Sequence, residues 1–145
     1  MKTRADVVVD FYEELDPLLA KEQGIGLLIC DLDFTLAPRW CRKPTENLVI
    51  WINRMLDNGI EIVIVSNNSS RRRIEKFAND KRLRKPLPYM FKAGKPKTDC
   101  VEFVARHFPG GFANIALLGD RESRDVACAK NAGVQAWKVR HRLKF

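Results

Sequence analysis

Two aspartates separated by one residue are the strongest chemical signal in this chain. Asp31 and Asp33 follow an apolar stretch, residues 25–30, that predicts a buried strand. Side chains two apart on a strand share a face, so both carboxylates would project from the carboxyl end of that strand, where open α/β sheets bind their ligands. Like charges held this close need a cation, a shared proton or a reaction. The pair therefore indicates phosphoryl-transfer chemistry.

Four other polar residues follow later predicted strands, directly or within a few residues. Because parallel strands point their carboxyl ends to one edge of a sheet, we expect these side chains to converge on Asp31 and Asp33. Taken singly, each fits ordinary turn or helix-capping chemistry, and only their joint order along the chain favours a catalytic interpretation. The four are Ser66, Lys95, Asp120 and Asp125.

The three acidic candidates fit transfer of phosphate through a covalent aspartyl intermediate. Asp31 is the candidate nucleophile. Asp33 can protonate the leaving alkoxide and later take a proton from the attacking water. Asp120, together with Asp31, suits Mg²⁺, which binds carboxylates, phosphate oxygens and waters.

The remaining candidates would support this reaction. Ser66 can donate a hydrogen bond to the phosphoryl oxygens, and Lys95 supplies a positive charge that reduces the repulsion between carboxylate and phosphate. Asp125, five residues after Asp120, could orient either metal-bound waters or the Lys95 ammonium.

Strand and helix patterns alternate along the chain, which predicts an α/β fold with a parallel sheet covered on both faces. Residues 1–145 contain no repeat, low-complexity segment or linker, so a single domain is expected. The predicted strands are 25–30, 60–65, 89–91, 115–118 and 134–139, and the predicted helices are 48–56, 71–79, 96–108 and 125–132.

The N-terminal region adds two short helices to this prediction. Val8, Phe11, Tyr12 and Leu15 recur at helical spacing and predict an amphipathic helix. Asp16 and the proline after it then restart the chain, since Asp is a good N-cap and Pro suits the first helical position.

Composition places the chain among basic, water-soluble proteins. It has 145 residues, 46% of them hydrophobic, and a formal net charge of +8. Such a surplus favours anionic partners, whether phosphates, nucleic acid or acidic lipid. No apolar run approaches the roughly 20 residues of a membrane span, and residues 1–10 lack a signal-peptide core, so we expect a cytoplasmic protein. The four cysteines form no close pair and are expected to be reduced thiols without a structural zinc.

These motifs together resemble the haloacid dehalogenase (HAD) superfamily of phosphatases, and more narrowly its subfamily IIIA of the YqeG type. The likeness runs from about residue 16 to residue 139. The superfamily motifs are 31–36, Val65-Ser66-Asn67-Asn68, Lys95-Pro96, and Gly119-Asp120 through Asp125. The narrower likeness rests on Ser66-Asn67-Asn68, Arg72 or Arg73, Lys85-Pro86 to Lys95-Pro96, and Asn131-Ala132-Gly133.

The resemblance implies a fold, a metal and a fuller set of site residues. The fold would be a three-layer Rossmann-like HAD core with a parallel sheet of about five strands, helices on both faces and no separate cap domain. Mg²⁺ would be held by Asp31, Asp120 and the backbone carbonyl of Asp33. Phosphate would be bound by Ser66, Asn67 and Lys95.

Several residues that bear on substrate preference differ from those usual in the family. Relatives of this type include phosphatidylglycerophosphate phosphatases, which implies a lipid phosphate as substrate. The family usually has Asn, Gln and Thr where Phe34, Arg121 and Arg124 stand here, and the two arginines, beside the metal aspartate, could alter substrate choice.

The lack of room for a cap resembles enzymes that act on large or surface-bound substrates, so the site could also contact an anionic membrane, including the inner face of a cell membrane. The basic tract, residues 71–85, is either a steering patch beside the site or a solvated helix face.

Other functions remain open at this stage. A nucleic-acid end phosphatase or a phosphoprotein phosphatase would use the same chemistry, and a basic surface also binds nucleic-acid backbones. A non-catalytic binding protein on the same scaffold would not need Asp31, Asp33, Lys95 and Asp120 together. A receiver domain would need a phospho-accepting aspartate on a middle strand, and residues 60–65 contain none.

Overall fold

A computed structural model of the chain describes residues 4–67 and 69–144. Its strands are β1 (Val7–Val9), β2 (Leu27–Asp31), β3 (Glu61–Ser66), β4 (Tyr89–Phe91), β5 (Ile115–Gly119) and β6 (Gln135–Val139). They form one six-stranded sheet in the order β1-β6-β5-β2-β3-β4, with every neighbouring pair parallel. The prediction of an α/β Rossmann-like fold is confirmed, with six strands rather than about five.

Helices cover both faces of this sheet. The helices are α1 (Pro17–Glu22), α2 (Glu46–Asp57), α3 (Arg71–Ala78), α4 (Asp99–His107) and α5 (Ala127–Ala132). Alternate residues of the central strand β2 belong to two different hydrophobic clusters: Leu28 and Cys30 pack towards α2 and α3, whereas Leu27 and Ile29 pack towards α4 and α5. The expected three-layer arrangement is therefore present.

The prediction of an N-terminal amphipathic helix is wrong, because the sixth strand lies in this region. Val7–Val9 pairs with β6, and only a short 3₁₀ turn, Tyr12–Glu14, follows it. Three successive β-branched residues favour a strand over a helix. The Glu14 carboxylate accepts hydrogen bonds from the two backbone N–H groups that open the turn. The predicted Asp16 cap is correct, because its carboxylate accepts a hydrogen bond from Leu19 N at 2.8 Å.

Two helices begin later than their periodicity predicts. The predicted helix 96–108 starts at Asp99, after a turn closed by Lys97 N donating to Gly94 O. The predicted helix 125–132 starts at Ala127, because Glu122–Val126 forms a π-helical turn. Gly133 ends α5 with φ +80°, in the left-handed region where glycine carries no steric cost.

Two segments leave the carboxyl edge of the sheet after the strands β2 and β3. The segment between β2 and α2, residues 32–45, is a loop, and α3 lies between β3 and β4. The four cysteines are buried free thiols, as expected. Within the described residues, none of the helices combines the length and the apolar character that crossing a bilayer requires.

Candidate active site

The strand ends enclose a polar cavity of about 200 Å³ at the carboxyl edge of the sheet. All seven residues predicted from the sequence line it, which is the convergence that parallel strands impose. Asn68, part of the second motif, lies outside the described residues. The lining is Asp31, Asp33, Phe34, Arg39, Ser66, Asn67, Lys95, Asp120, Arg121, Arg124, Asp125 and Arg142.

Lys95 joins two of the carboxylates at the floor of this cavity. Its Nζ lies 3.0 Å from Asp31 Oδ1 and 2.5 Å from Asp125 Oδ1, and its side chain is only 2% exposed. Burial disfavours the charged amine, but the two carboxylates outweigh that effect and raise the Lys95 pKa. The lysine is therefore a fixed positive charge directly beside Asp31.

Asp31 itself is a buried acid. Burial raises its pKa to about 7, an effect that Lys95 partly offsets and that the nearby Asp125 and Asp120 carboxylates reinforce. An additional cation beside Asp31 would stabilise its ionised form and so lower its pKa.

Asp120 lies close enough to Asp31 for both to bind one metal ion. Thr35 Oγ1 is 3.2 Å from Asp31 Oδ2 and 3.3 Å from Asp120 Oδ1, so its single proton is shared between them. One oxygen from each of Asp31, Asp120 and Asp125 falls within 4.8 Å of the others. Hard carboxylate oxygens in this arrangement fit Mg²⁺.

Asp125 belongs to this acidic group by distance, yet its oxygens are already engaged. Oδ1 accepts from Lys95, and Oδ2 accepts from the backbone N–H of Arg121 at 3.1 Å. These contacts suit a residue that orients Lys95 better than one that binds the metal directly, and the role expected from the sequence stays a prediction.

Asp33 points to a different set of partners. Arg73 Nη1 lies 2.6 Å from Asp33 Oδ1, and the Ser69 hydroxyl donates to Asp33 Oδ2 at 2.8 Å. The same guanidinium donates to the carbonyl oxygens of Cys41 and Pro38 at 3.0 and 3.1 Å. Arg73 thus fixes the carboxyl of Asp33 and the loop opposite it, a role that the sequence did not identify.

Ser66 is the last residue of β3, and Asn67 follows it at the cavity wall. Ser66 is buried, and its Oγ accepts a hydrogen bond from Ser69 N at 3.0 Å. Asn67 donates from Nδ2 to Lys95 O at 2.8 Å and accepts at Oδ1 from Lys95 N at 3.0 Å. The Asn67 amide therefore holds the backbone of the lysine, and phosphate binding by this side chain stays a prediction.

Arg142 is a cavity residue that sequence reasoning missed. Its Nε donates to Asp120 Oδ2 at 2.8 Å, and its guanidinium stacks 4.1 Å above the ring of Phe34. Phe34 has φ +67°, a left-handed conformation that Asn adopts more readily, and its carbonyl accepts from Leu143 N. Only the basic character of the last residues could have indicated this contact.

The basic tract, residues 71–85, is partly neutralised. Five of its eight lysines and arginines form ion pairs with acidic side chains, which include Glu75, Asp80, Asp57 and Glu61 as well as Asp33. Arg72, Lys76 and Lys81 have no ion-pair partner among the described residues. A steering role for the tract stays a prediction.

Comparison with known proteins agrees with the motifs in this cavity. The chain is similar to Probable phosphatase YqeG of Bacillus subtilis (strain 168). The two are 32% identical over 115 residues, which cover 77% of this chain and 62% of that protein. The chain thus spans less than two thirds of the relative's length. This similarity confirms the predicted resemblance to the YqeG type. No protein-family model matches the sequence, and no solved structure matches it.

Proposed function

We propose that this chain is a Mg²⁺-dependent phosphomonoester hydrolase of the HAD type that works through an aspartyl-phosphate intermediate on Asp31. The observation that carries the proposal is the position of Lys95, whose ammonium lies between the Asp31 and Asp125 carboxylates in the cavity that Asp33 and Asp120 also line. The similarity to a protein named as a probable phosphatase supports the phosphatase part of this proposal.

In the first half of the reaction, a carboxylate oxygen of Asp31 attacks phosphorus. The bond between phosphorus and the leaving oxygen breaks, and Asp33 donates a proton to the departing alkoxide. Lys95 reduces the repulsion between the nucleophile and the phosphoryl oxygens, to which Ser66 would donate a hydrogen bond.

In the second half, water attacks the phosphorus of the aspartyl phosphate. Asp33, now ionised, accepts a proton from that water, and the bond between Asp31 and phosphorus breaks to release inorganic phosphate. Arg73 and Ser69 keep the Asp33 carboxyl in place through both steps, because each bonds one of its oxygens.

Asp31 and Asp120 would hold Mg²⁺, with the Asp33 carbonyl as a further ligand implied by the resemblance. When bound, the ion would neutralise charge on the phosphoryl oxygens. Thr35 and Arg142 orient the Asp120 carboxylate through hydrogen bonds to its two oxygens.

For the substrate class we propose a lipid phosphate such as phosphatidylglycerophosphate, presented at an anionic membrane surface. Arg39 lines both this cavity and a neighbouring groove, and that groove also contains the exposed Trp40 and Arg42. An amphipathic aromatic ring next to positive charge suits the headgroup region of such a surface.

Release of inorganic phosphate from a panel of monoesters, with Mg²⁺ or with EDTA, tests the reaction. We expect Mg²⁺-dependent turnover, and a phosphorylated protein in acid-quenched samples by intact mass. Asp31→Asn should abolish both signals with the circular dichroism spectrum unchanged, while the surface variant Asp57→Asn should keep them. A folded protein that hydrolyses no monoester would refute the proposal.

The panel also separates the alternative substrates. It should contain phosphatidylglycerophosphate in mixed vesicles, a 5′-phosphorylated oligonucleotide and a phosphopeptide. Preference for the oligonucleotide, with inhibition by unphosphorylated nucleic acid, would replace the lipid assignment and leave the reaction class intact.

A further inference from the structure

We propose that Arg39, Arg121 and Arg124 form a second phosphoryl-binding subsite at the mouth of the cavity. The inference rests on the proposed function, because the first phosphoryl group is the one attacked by Asp31. It assigns to this chain a preference for monoesters that carry another phosphoryl group.

The first step is the pairing of charges around the cavity. Every acid that lines it already has a cationic partner: Asp31 and Asp125 share Lys95, Asp33 binds Arg73, and Asp120 binds Arg142. Even Glu122, beside the cavity, is paired with Lys138 at 2.8 Å. In the part of the chain that the structure describes, the guanidinium groups of the three mouth arginines have no acidic partner.

The second step is charge balance. The first step of the reaction requires a protonated Asp33, so the other three cavity acids carry three negative charges as the substrate binds, and Lys95, Arg73 and Arg142 carry three positive ones. A magnesium ion and a phosphate dianion cancel each other, so the inner group is about neutral once both are bound. The three arginines at the mouth then leave a surplus of about three positive charges, which a second phosphoryl group would reduce.

The third step is the rigidity of the backbone that carries the three mouth arginines. Arg121 follows Asp120 directly, and its backbone N–H is held by Asp125. Arg124 lies in the π-helical turn Glu122–Val126, directly before Asp125, and is partly buried. Arg39 follows Pro38, whose carbonyl accepts from Arg73 and from Cys41 N. The backbone at or beside Arg121 and Arg39 is therefore held by the residues that position Lys95 and Asp33, which lowers the ordering cost of binding.

The chemistry of the side chain favours a phosphoryl ligand. Guanidinium is permanently charged and presents paired N–H donors that match two phosphoryl oxygens at once. The second group could be a phosphomonoester, as in a small bisphosphate, or a phosphodiester, as in a phospholipid headgroup. Both have at least two non-bridging oxygens that share negative charge and can accept hydrogen bonds from the arginines.

Binding to an inactive protein tests the subsite without turnover. The Asp31→Asn protein, in the presence of Mg²⁺, is titrated calorimetrically with a series of α,ω-alkanediol bisphosphates and with the matching alkyl monophosphates. At the best chain length we expect the bisphosphate to bind at least about tenfold more tightly, the equivalent of one charge-assisted hydrogen-bonded contact. Methylating one phosphate of that ligand distinguishes the sources: retained affinity indicates a phosphodiester, and lost affinity a second monoester.

The arginine variants are made in the same inactive background. Arg121→Gln combined with Arg124→Gln should remove the bisphosphate advantage and leave monophosphate affinity nearly unchanged. Arg54→Gln, on the exposed face of α2, is the matched control and should keep the advantage.

Two results would overturn the subsite: equal affinity for both ligands at every chain length, or an equal loss of both in the double variant, which would indicate only a general positive field. Hydrolysis of p-nitrophenyl phosphate by the wild-type protein separates these failures from failure of the proposed function. Intact hydrolysis with equal binding rejects the subsite alone, whereas absent hydrolysis of this ester and of every other monoester in the panel rejects the reaction itself.

Discussion

The carboxyl group of Asp125 occupies the space that a side chain at Gly119 would fill. A Cβ built on Gly119 overlaps the carboxyl carbon and Cβ of Asp125. Asp125 must approach the end of β5 this closely to bond Lys95 with one oxygen and the Arg121 N–H with the other. The glycine is thus required by the position of the lysine, although it touches no substrate itself.

Gly119→Ala should therefore inactivate the protein through displacement of Asp125 and Lys95. A shift of about 1 Å in a catalytic group can cost about a hundredfold in rate, so we expect a loss of kcat of that order. Gly26→Ala is the control, because its Cβ would meet only the ring of Phe108 at 3.3 Å, away from the cavity. Steady-state kinetics and thermal unfolding of both variants check this, and normal kcat in Gly119→Ala would contradict it.

The raised pKa of Asp31 predicts an unusual pH dependence of stability in the metal-free protein. The folded state keeps the Asp31 proton up to about pH 7, whereas the unfolded chain releases it near pH 4. The folded state thus binds more protons between these values, so the contribution of Asp31 to stability falls as pH rises through this window. The maximum slope for one proton is about 1.4 kcal/mol per pH unit.

Removal of the titrating group should abolish that slope. Urea unfolding in EDTA, from pH 5 to pH 8.5, would compare the wild-type protein with Asp31→Asn. We expect the stability difference to shift in favour of the variant as pH rises and to level off above about pH 8. A difference that stays constant over this range would mean that Asp31 titrates normally.

Asn67 should act on the reaction through Lys95. Asn67→Ala removes two hydrogen bonds to the Lys95 backbone, and Asn53→Ala removes the equivalent pair to the backbone of Arg82 and Arg84, far from the cavity. Both variants should lose about 1–3 kcal/mol of stability. Only Asn67→Ala should lower kcat. Direct phosphate binding by the Asn67 side chain would instead weaken inhibition by inorganic phosphate at constant kcat.

The sequence predicts the acidic residues and the lysine at the strand ends better than the arginines that surround them. Asp31, Asp33, Lys95 and Asp120 could be located because strand ends in a parallel sheet converge, a rule that needs no knowledge of side-chain contacts. Arg142 could not be, because its partner Asp120 is 22 residues away and the contact depends on how the chain leaves β6. The Val7–Val9 strand was not predicted, because Val8 and the apolar residues that follow it recur at helical spacing. The segment forms a strand because it pairs with β6, a contact that periodicity does not reveal.

Arg73 should hold the Asp33 carboxyl in the position that general acid and base catalysis requires. Arg73→Met removes the ion pair to Asp33 and the bonds to the Pro38 and Cys41 carbonyls. Because a well-placed general acid contributes about a hundredfold or more, we expect kcat to fall about ten- to a hundredfold. Arg82→Met is the matched control, since it loses an ion pair to Asp80 and a carbonyl bond outside the cavity.

A double-mutant cycle with Asp33→Asn decides whether Arg73 acts through that carboxyl. If it does, Arg73→Met should have almost no further effect on kcat in the Asp33→Asn background, because the group that it positions is already lost. Full additivity of the two effects would instead mean that Arg73 serves the reaction independently, for example by contacting the substrate. Arg73→Lys should recover part of the activity, since an ammonium can still pair with Asp33 but cannot also reach both carbonyls.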